Sequence, residues 1–525
     1  MKKMLMDFDG TLTIDGMITS VVLKELEFLK SNFKDLELIL ITGRSYGWAN
    51  CLIQTLPFDS IIFEQGAGMI KRFNPFEVIY YPHFEKNEKE NIINTVKMID
   101  PNLKLSADQD LRLTDVAVEI VDKSLDEIKK VLETLSKHFS TDYKCVLSNI
   151  HINIYKGSYN KLLAVRHFFD LNSVDEKECF FVGDSLNDES MFQYFTNSFG
   201  VGQIRKILHL FEHPPKHILD KNEGAGLADL LHKINNGRIG VCIPVFNRPN
   251  ALENVLKGFL NYIPDYMQNW FYFILVDNGS TEFLEISAVY HKYRKMIPNL
   301  FLLFNNKHET TFRLCRARNI AMNFLISNYK DLHFRYFVFH DSDIVSTPLY
   351  WKTLFNRMIS YDWDVENILV GERIFVNEWN PNDNVDPSKL ERVKSSSNYN
   401  LSIDRRIPYL LGEKKGFEEH PWAFVHGGNM ILERSLNSHI EWNETYDGHW
   451  GYEDTQFTYD FINSKKNRKV IFIKDLYVYH QEEINTCSNY LNEKFDKTNN
   501  PNFNKICKLI LGFKEFKLRQ YSEMK

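Results

Sequence analysis

Short apolar runs alternate with amphipathic stretches along this chain, and several of the runs close on an aspartate. Residues 4–6, 36–41, 60–63 and 179–182 read as buried strands, with residues 18–29 and 161–169 as helices between them. Strands that are apolar throughout are buried on both faces, and a crossover between parallel strands is long enough to hold a helix. The alternation therefore predicts a parallel sheet covered on both sides. From about residue 80 to 154 the period changes. Residues 117–121 and 150–154 alternate as half-buried strands around a helical 125–135, which predicts an inserted α+β cap.

A second start follows. Residues 227–234 read as a helix stopped by Asn235-Asn236-Gly237. Residues 238–245 and 271–276 then open a new strand series, continued at 300–304, 335–339 and 469–473. The expected fold class is α/β twice over. A Rossmann-like domain with an inserted cap occupies 1–236, and a second α/β domain occupies 237–525. The stretch 377–400, rich in Pro, Asp, Asn and Ser, reads as a surface loop, since it can bury little apolar area.

Composition narrows the partners. With 525 residues and a net charge of -6, the chain is not expected to bind nucleic acid, which calls for a basic surface. No apolar run approaches the ~18 residues needed to span a bilayer. The first residues reach Asp7 too soon for a signal peptide. Seven scattered cysteines without a C-x-x-C pair predict no disulfide framework or zinc knuckle, and so a reducing, cytoplasmic setting.

Asp7-Phe8-Asp9-Gly10-Thr11 directly follows the first strand. Carboxylates at the carboxyl end of such a strand project into the crevice where open α/β sheets bind ligands. Phe181-Val182-Gly183-Asp184-Ser185-Leu186-Asn187-Asp188 repeats the layout of strand, glycine and acids. Like charges gathered there call for a cation, and oxygen ligands favour Mg²⁺. Thr42, in Thr42-Gly43-Arg44, and Lys161 lie between the two motifs and suit a phosphoryl group.

In these four ordered motifs the chain resembles the haloacid dehalogenase superfamily of phosphatases, over about residues 1–236. The resemblance implies Asp7 as nucleophile and Asp9 as the proton-transferring acid and base. Thr42 and Lys161 would hold the phosphoryl group. Asp7, Asp9, Asp184 and Asp188 would hold Mg²⁺, with Asn187 beside the substrate. The cap, about residues 80–154, lies where the sugar-phosphate phosphatases of that superfamily carry theirs. The implied substrate is a phosphorylated small molecule or sugar phosphate.

The second half has its own strand ends. Ile243-Pro244-Val245-Phe246-Asn247-Arg248 closes one strand and Val276-Asp277-Asn278-Gly279-Ser280-Thr281 the next. Arg313, Arg316 and Arg318 follow, and an arginine there can pair with a diphosphate. His340-Asp341-Ser342-Asp343 ends a further strand, and His480 ends Val478-Tyr479-His480. Two carboxylates and an imidazole suit Mn²⁺. His449-Trp450-Gly451-Tyr452-Glu453-Asp454 offers an aromatic platform for a sugar ring and two acids for its hydroxyls.

These boxes resemble family 2-type glycosyltransferases of the GT-A fold over about residues 237–485. The last box is similar to that of galactosyltransferases and chondroitin polymerases. The resemblance implies a UDP-linked nucleotide sugar as donor. Pro244 would line its site, Asp277 would contact the uridine and Arg318 the diphosphate. Asp341, Asp343 and His480 would engage Mn²⁺ or Mg²⁺, and Gly428 and Asn429 would line the sugar pocket. Trp450 and Glu453 would meet the acceptor, a glycan, a lipid-linked sugar or a phosphorylated small molecule. Asp454 would be the base. Residues 504–520 form a basic amphipathic tail, either docked on its own domain or lying peripherally on the inner face of a membrane.

The expected function is a bifunctional enzyme that transfers a sugar and hydrolyses a phosphate ester, in either order, in capsule or surface-polysaccharide synthesis. Two alternatives stay open. One is a phosphatase carrying a carbohydrate-binding module. The other is a transferase carrying a scaffold domain.

Overall fold

The structure is a computed structural model. It describes residues 2–72, 74–80, 87–139, 141–147, 151–304, 313–361, 363–377, 420–435, 440–448, 451–482 and 501–510, with scattered positions between 406 and 418. The chain divides into two compact units, Met1–Asn235 and Asn236–Lys525.

The first unit is built on an eight-stranded sheet. The Lys3–Asp7 strand runs at its centre, parallel to Glu37–Ile41 on one side and Cys179–Gly183 on the other. Leu5, Ile39, Ile41 and Phe181 pack on Val165, Phe168 and Phe169 of the Lys161–Asn172 helix, all of them buried. That helix starts where the Asn160 side chain accepts the Leu163 N–H at 2.9 Å, satisfying an otherwise orphaned donor. The cap is a separate three-stranded antiparallel sheet of Val116–Glu119, His151–Lys156 and Tyr143–Leu147. Helices Glu88–Ile99 and Leu125–His138 cover it, and Ile92, Val96, Val118, Leu135, Ile152 and Ile154 form its core. Ser124 and Glu127 close a capping box at the start of the second cap helix.

The expected turn at Asn235–Gly237 is absent. The Glu223–Asn236 helix is followed at once by the Gly237–Val245 strand. Asn235 is buried, and its side-chain amide donates to the Glu25 backbone carbonyl and carboxylate, so a residue read as a helix stop has partners that keep it helical.

The second unit has a seven-stranded mixed sheet. Leu300–Phe304, Phe271–Asp277, Gly237–Val245 and His333–His340 run parallel, and Asn429–Glu433 joins the last of them antiparallel. A small sheet of Ile344–Ser346, Val478–Glu482 and Arg373–Asn377 stands apart. The Pro501–Leu509 helix begins the basic tail, and Ile506 and Ile510 are buried in this unit's own core. Their apolar face is thus used inside the domain, while residues 511–520 of the tail lie outside the described residues. The loop expected at 377–400 lies outside them too, apart from Asn377, the last residue of a strand. Among the described residues, no helix is long and apolar enough to cross a membrane.

Candidate active sites

Parallel register decides what meets at the carboxyl edge of the first sheet. Asp7 pairs with Ile41, and Met6 pairs with Val182. Asp7, Thr42 and Asp184 therefore leave adjacent strands at one level. Gly10 then turns the chain with φ +74°, and a Cβ there would stand 2.4 Å from Asp184 Oδ2. Glycine is required on both counts.

Lys161 bridges the acids. Its ammonium donates to Asp7 Oδ1 at 2.6 Å and to Asp188 Oδ1 at 2.9 Å, and all three side chains are buried. Asp188 also accepts the Asp184 N–H at 3.0 Å. Asp7, Asp184 and Asp188 bring three ligand oxygens within 4.8 Å of one another. Burial pushes the Asp7 carboxyl well up; Lys161 opposes this, and Asp188 and Asp184 add to it. Burial, then Asp188, pushes Asp184 up to about 7 against the pull of Lys161. Burial works against the Lys161 ammonium, but Asp188 and Asp7 outweigh it and hold its pKa above the ordinary value. Three buried carboxylates against one ammonium leave an excess of negative charge that a divalent cation would neutralise, so these residues fit Mg²⁺.

Asp9 is not gathered with them. Its carboxylate turns to Arg44, which donates from Nε at 3.0 Å and from Nη2 at 2.6 Å. Residues two apart share a face only while a strand lasts, and this strand ends at Asp7. The side chain of Asp9 is thus held in an ion pair with Arg44, outside the group formed by Asp7, Asp184 and Asp188. Thr42 is fully buried, and its hydroxyl accepts the Arg44 N–H at 3.0 Å.

A cavity of about 300 Å³ opens over this cluster. Asp7, Asp9, Lys161, Asp184 and Asn187 form its floor, and Asp108, Arg112, Glu119, His151 and Asn153 of the cap line it from the other side. Glu64 ties the cap to the sheet by accepting the backbone N–H groups of Tyr46, Leu113 and Thr114 and the Thr114 hydroxyl. Arg112 is buried. It donates to both oxygens of Asp115 at 2.9 and 3.0 Å, to Asp108 at 3.1 Å and to the Gly43 carbonyl at 3.2 Å.

In the second unit, Arg318 organises the polar edge. Asp447 anchors its helix, Leu314–Asn328, by accepting the N–H groups of Cys315 and Arg316 at 2.8 and 3.1 Å. Asn319 and the Trp442 backbone exchange two hydrogen bonds. The Arg318 guanidinium lies 4.2 Å over the Trp442 ring, 3.7 Å from Asp341 and 3.9 Å from Glu453. Among the described residues, its buried Nε and Nη1 have no hydrogen-bond partner. A Cβ on Gly427 would strike Arg318, and one on Gly428 would strike Asp341, so both glycines permit close backbone approach.

Asp454 accepts the Gly427 N–H at 3.0 Å and the Thr455 N–H at 2.7 Å. Glu453 lies buried beside it. Burial, then Asp454, pushes the Glu453 carboxyl up to about 8 against the pull of Arg318. A carboxyl raised above its unfolded value adds stability that is full at low pH and is lost as pH rises from about 4.5 through about 8. Glu453→Gln is therefore expected to melt near wild type at pH 5 and above it at pH 9, as thermal unfolding of the full chain would read.

Asp277 accepts the Gly279 N–H at 3.3 Å at the end of its strand. Pro244 is buried within the neighbouring strand, opposite Val276. The Asn429 amide donates to the backbone carbonyls of Leu476 and Glu372, which fixes its side chain. Asp343 takes Arg248 at 2.8 Å and has His480 at 3.7 Å. Burial raises both Asp341 and Asp343, opposed by Arg318 and Arg248 respectively. Among the described residues, only Asp7, Asp184 and Asp188 form a group of three potential ligands within 4.8 Å of one another. Asp341, Asp343 and His480 thus stand near one another without closing to that spacing. Trp450 lies outside the described residues.

Comparison with known proteins addresses both halves. A family model for haloacid dehalogenase-like hydrolases matches residues 4–116 and 101–231, and one for glycosyl transferase family 2 matches 240–440. The chain joins a haloacid dehalogenase-like hydrolase domain to a family 2 glycosyl transferase domain. A chondroitin synthase of Pasteurella multocida is 22% identical over 263 residues, 47% of this chain and 25% of that protein. The chain thus spans a quarter of that relative's length. A phosphoglycolate phosphatase of Picrophilus torridus is 26% identical over 198 residues, 38% of this chain and 77% of that one. A haloacid dehalogenase-like hydrolase from Bacteroides thetaiotaomicron matches in structure with TM-score 0.37 and 14% identity, over 44% of this chain and 99% of that one.

Several site residues of the two domains carry no signal in spacing alone. In the hydrolase domain these are Arg44 and the cap residues Arg112 and His151. In the transferase domain they are Arg248 and Trp442. Arg44 and Arg248 each close a motif already prominent in the sequence, but their carboxylate partners lie 35 and 95 residues away.

Proposed function

We propose that the hydrolase domain cleaves a phosphate monoester through an aspartyl-phosphate, and that the transferase domain moves a sugar from a nucleotide sugar with inversion. The observation that carries the first half is the Lys161 bridge between Asp7 and Asp188 under an open cavity. Lys161 engages one oxygen of Asp7 and leaves the other to attack phosphorus. As the ester bond breaks, Asp9 gives its proton to the departing oxygen. Water then attacks the aspartyl-phosphate, Asp9 takes a proton back, and phosphate leaves with Asp7 restored. Mg²⁺ on Asp7, Asp184 and Asp188 would supply charge neutralisation at the phosphoryl oxygens.

The cap wall favours a neutral, hydroxyl-rich leaving group. Asp108, Glu119, His151 and Asn153 can all accept from or donate to hydroxyls. A carboxylate substrate would need a cation there, and the guanidinium of Arg112 is committed to Asp115 and Asp108. The favoured substrate is a sugar phosphate. An assay with Mg²⁺ is expected to give a higher kcat/KM for hexose 6-phosphates than for phosphoglycolate, and the reverse order rules the assignment out. Because the proton competes with the cation for Asp184, added Mg²⁺ is expected to raise the melting temperature at pH 8 and much less at pH 5.

For the transferase domain, the two unsatisfied nitrogens of Arg318 support a diphosphate site. Asp277 would take the uridine of a UDP-sugar, and Asp341 and Asp343, with His480, would meet Mn²⁺ or Mg²⁺. Glu453 would hold the acceptor, and Asp454 would remove its hydroxyl proton. The acceptor is a glycan or a phosphorylated sugar, in surface-polysaccharide synthesis. Mn²⁺-dependent release of UDP from a UDP-sugar tests this half; no release from any UDP-sugar in the presence of acceptors counts against it.

A further inference from the structure

Asp9 stands where a proton-transferring group must be held still, yet little packing fixes it. It lies beyond the end of its strand, and its side chain is 33% exposed. Arg44 supplies what packing does not. Its backbone is fixed on both sides, its N–H donating to Thr42 Oγ1 at 3.0 Å and its carbonyl accepting the Glu64 N–H at 3.0 Å. Its guanidinium is flanked by two rings, Trp48 at 4.8 Å and Phe8 at 5.2 Å. From that mount it meets both Asp9 oxygens, Nε at 3.2 Å from Oδ1 and 3.0 Å from Oδ2, and Nη2 at 2.6 Å from Oδ1. Asp9, Arg44 and Trp48 all line the cavity.

We infer that Arg44 is a positioning residue that aims Asp9 at the departing oxygen of the ester, with Trp48 and Phe8 fixing its plane. The inference rests on the phosphatase reading and adds a residue to it. Planar guanidinium and planar carboxylate restrict each other's orientation, which a lone ammonium cannot do. In the proposed cycle Asp9 gives a proton to the departing oxygen and later takes one from water, and a guanidinium that meets both of its oxygens holds its plane in place for both transfers.

Leaving-group dependence tests this. An alkoxide departs slowly without a proton, whereas a nitrophenolate needs little help, so loss of aim should be felt on the first and not the second. The full chain with Mg²⁺ is assayed on a hexose 6-phosphate and on p-nitrophenyl phosphate, as wild type, Arg44→Ala, Arg44→Lys, Asp9→Asn and the Arg44→Ala/Asp9→Asn double variant. Arg44→Ala is expected to lower kcat on the hexose ester by roughly 10–100-fold, as misplacement of a reacting group does, with a far smaller loss on the nitrophenyl ester. Arg44→Lys recovers part of it. The double variant is no slower than Asp9→Asn, because the two residues act through one proton transfer. Equal losses on both esters with a raised KM, or losses that multiply in the double variant, overturn the inference in favour of direct phosphate binding or a structural role. If wild type hydrolyses neither ester, the phosphatase reading itself falls.

Discussion

Asp7→Asn is expected to cut phosphate-ester hydrolysis on the order of 10⁴-fold or more, the scale seen when a nucleophile is removed from a covalent mechanism. The fold should survive. Asp7 is one of three buried acids whose mutual repulsion and burial favour its uncharged form, so a neutral amide relieves rather than creates an electrostatic cost. Lys161 keeps its contact with Asp188 at 2.9 Å, so no buried ammonium is left without a partner. The metal-free variant should therefore melt at or above the wild-type temperature at neutral pH while releasing no phosphate. A folded, inactive variant separates chemistry from stability. A variant that unfolds would mean that Asp7 is needed chiefly to pair Lys161.

Asp454→Asn is expected to lower sugar transfer by about 10²–10⁴-fold, the range for loss of a general base. The Asp454 carboxylate accepts two backbone N–H groups, from Gly427 and Thr455. An asparagine carbonyl preserves one of those bonds, so the Gly427–Gly428 turn keeps its support. In the proposed site the donor is held by Arg318 and the Asp341–Asp343 edge rather than by this group. A thermal shift produced by UDP with Mn²⁺ should thus persist in the variant while transfer is lost. Loss of the shift together with transfer would instead assign Asp454 to the shape of the donor site.

Strands were legible where burial makes them apolar on both faces. Ser60–Phe63, buried throughout, spans its expected run, and Cys179–Gly183, also buried throughout, extends it by one residue. The Lys161 helix was legible because its residues alternate at helical spacing behind Asn160. Charge pairing was less so. Two aspartates one residue apart suggest a shared face, but both such pairs straddle or follow a strand end. Asp9 turns to Arg44, and Asp343 turns to Arg248. The helix-stop reading at Asn235 failed for a related reason, since its partner, Glu25, is more than 200 residues away. What spacing conveys is which strand end a residue occupies. What it omits is which distant cation claims it there.

In the proposed function one chain carries two separate chemistries, each with its own carboxylate. The most direct measurement is a pair of assays, phosphate release with Mg²⁺ and sugar transfer from a UDP-sugar with Mn²⁺, run on wild type, Asp7→Asn and Asp454→Asn. The predicted result is that wild type performs both, Asp7→Asn loses only phosphate release and Asp454→Asn loses only transfer. Full retention of both activities in either variant, or loss of both from one substitution in a chain that still folds, would contradict it.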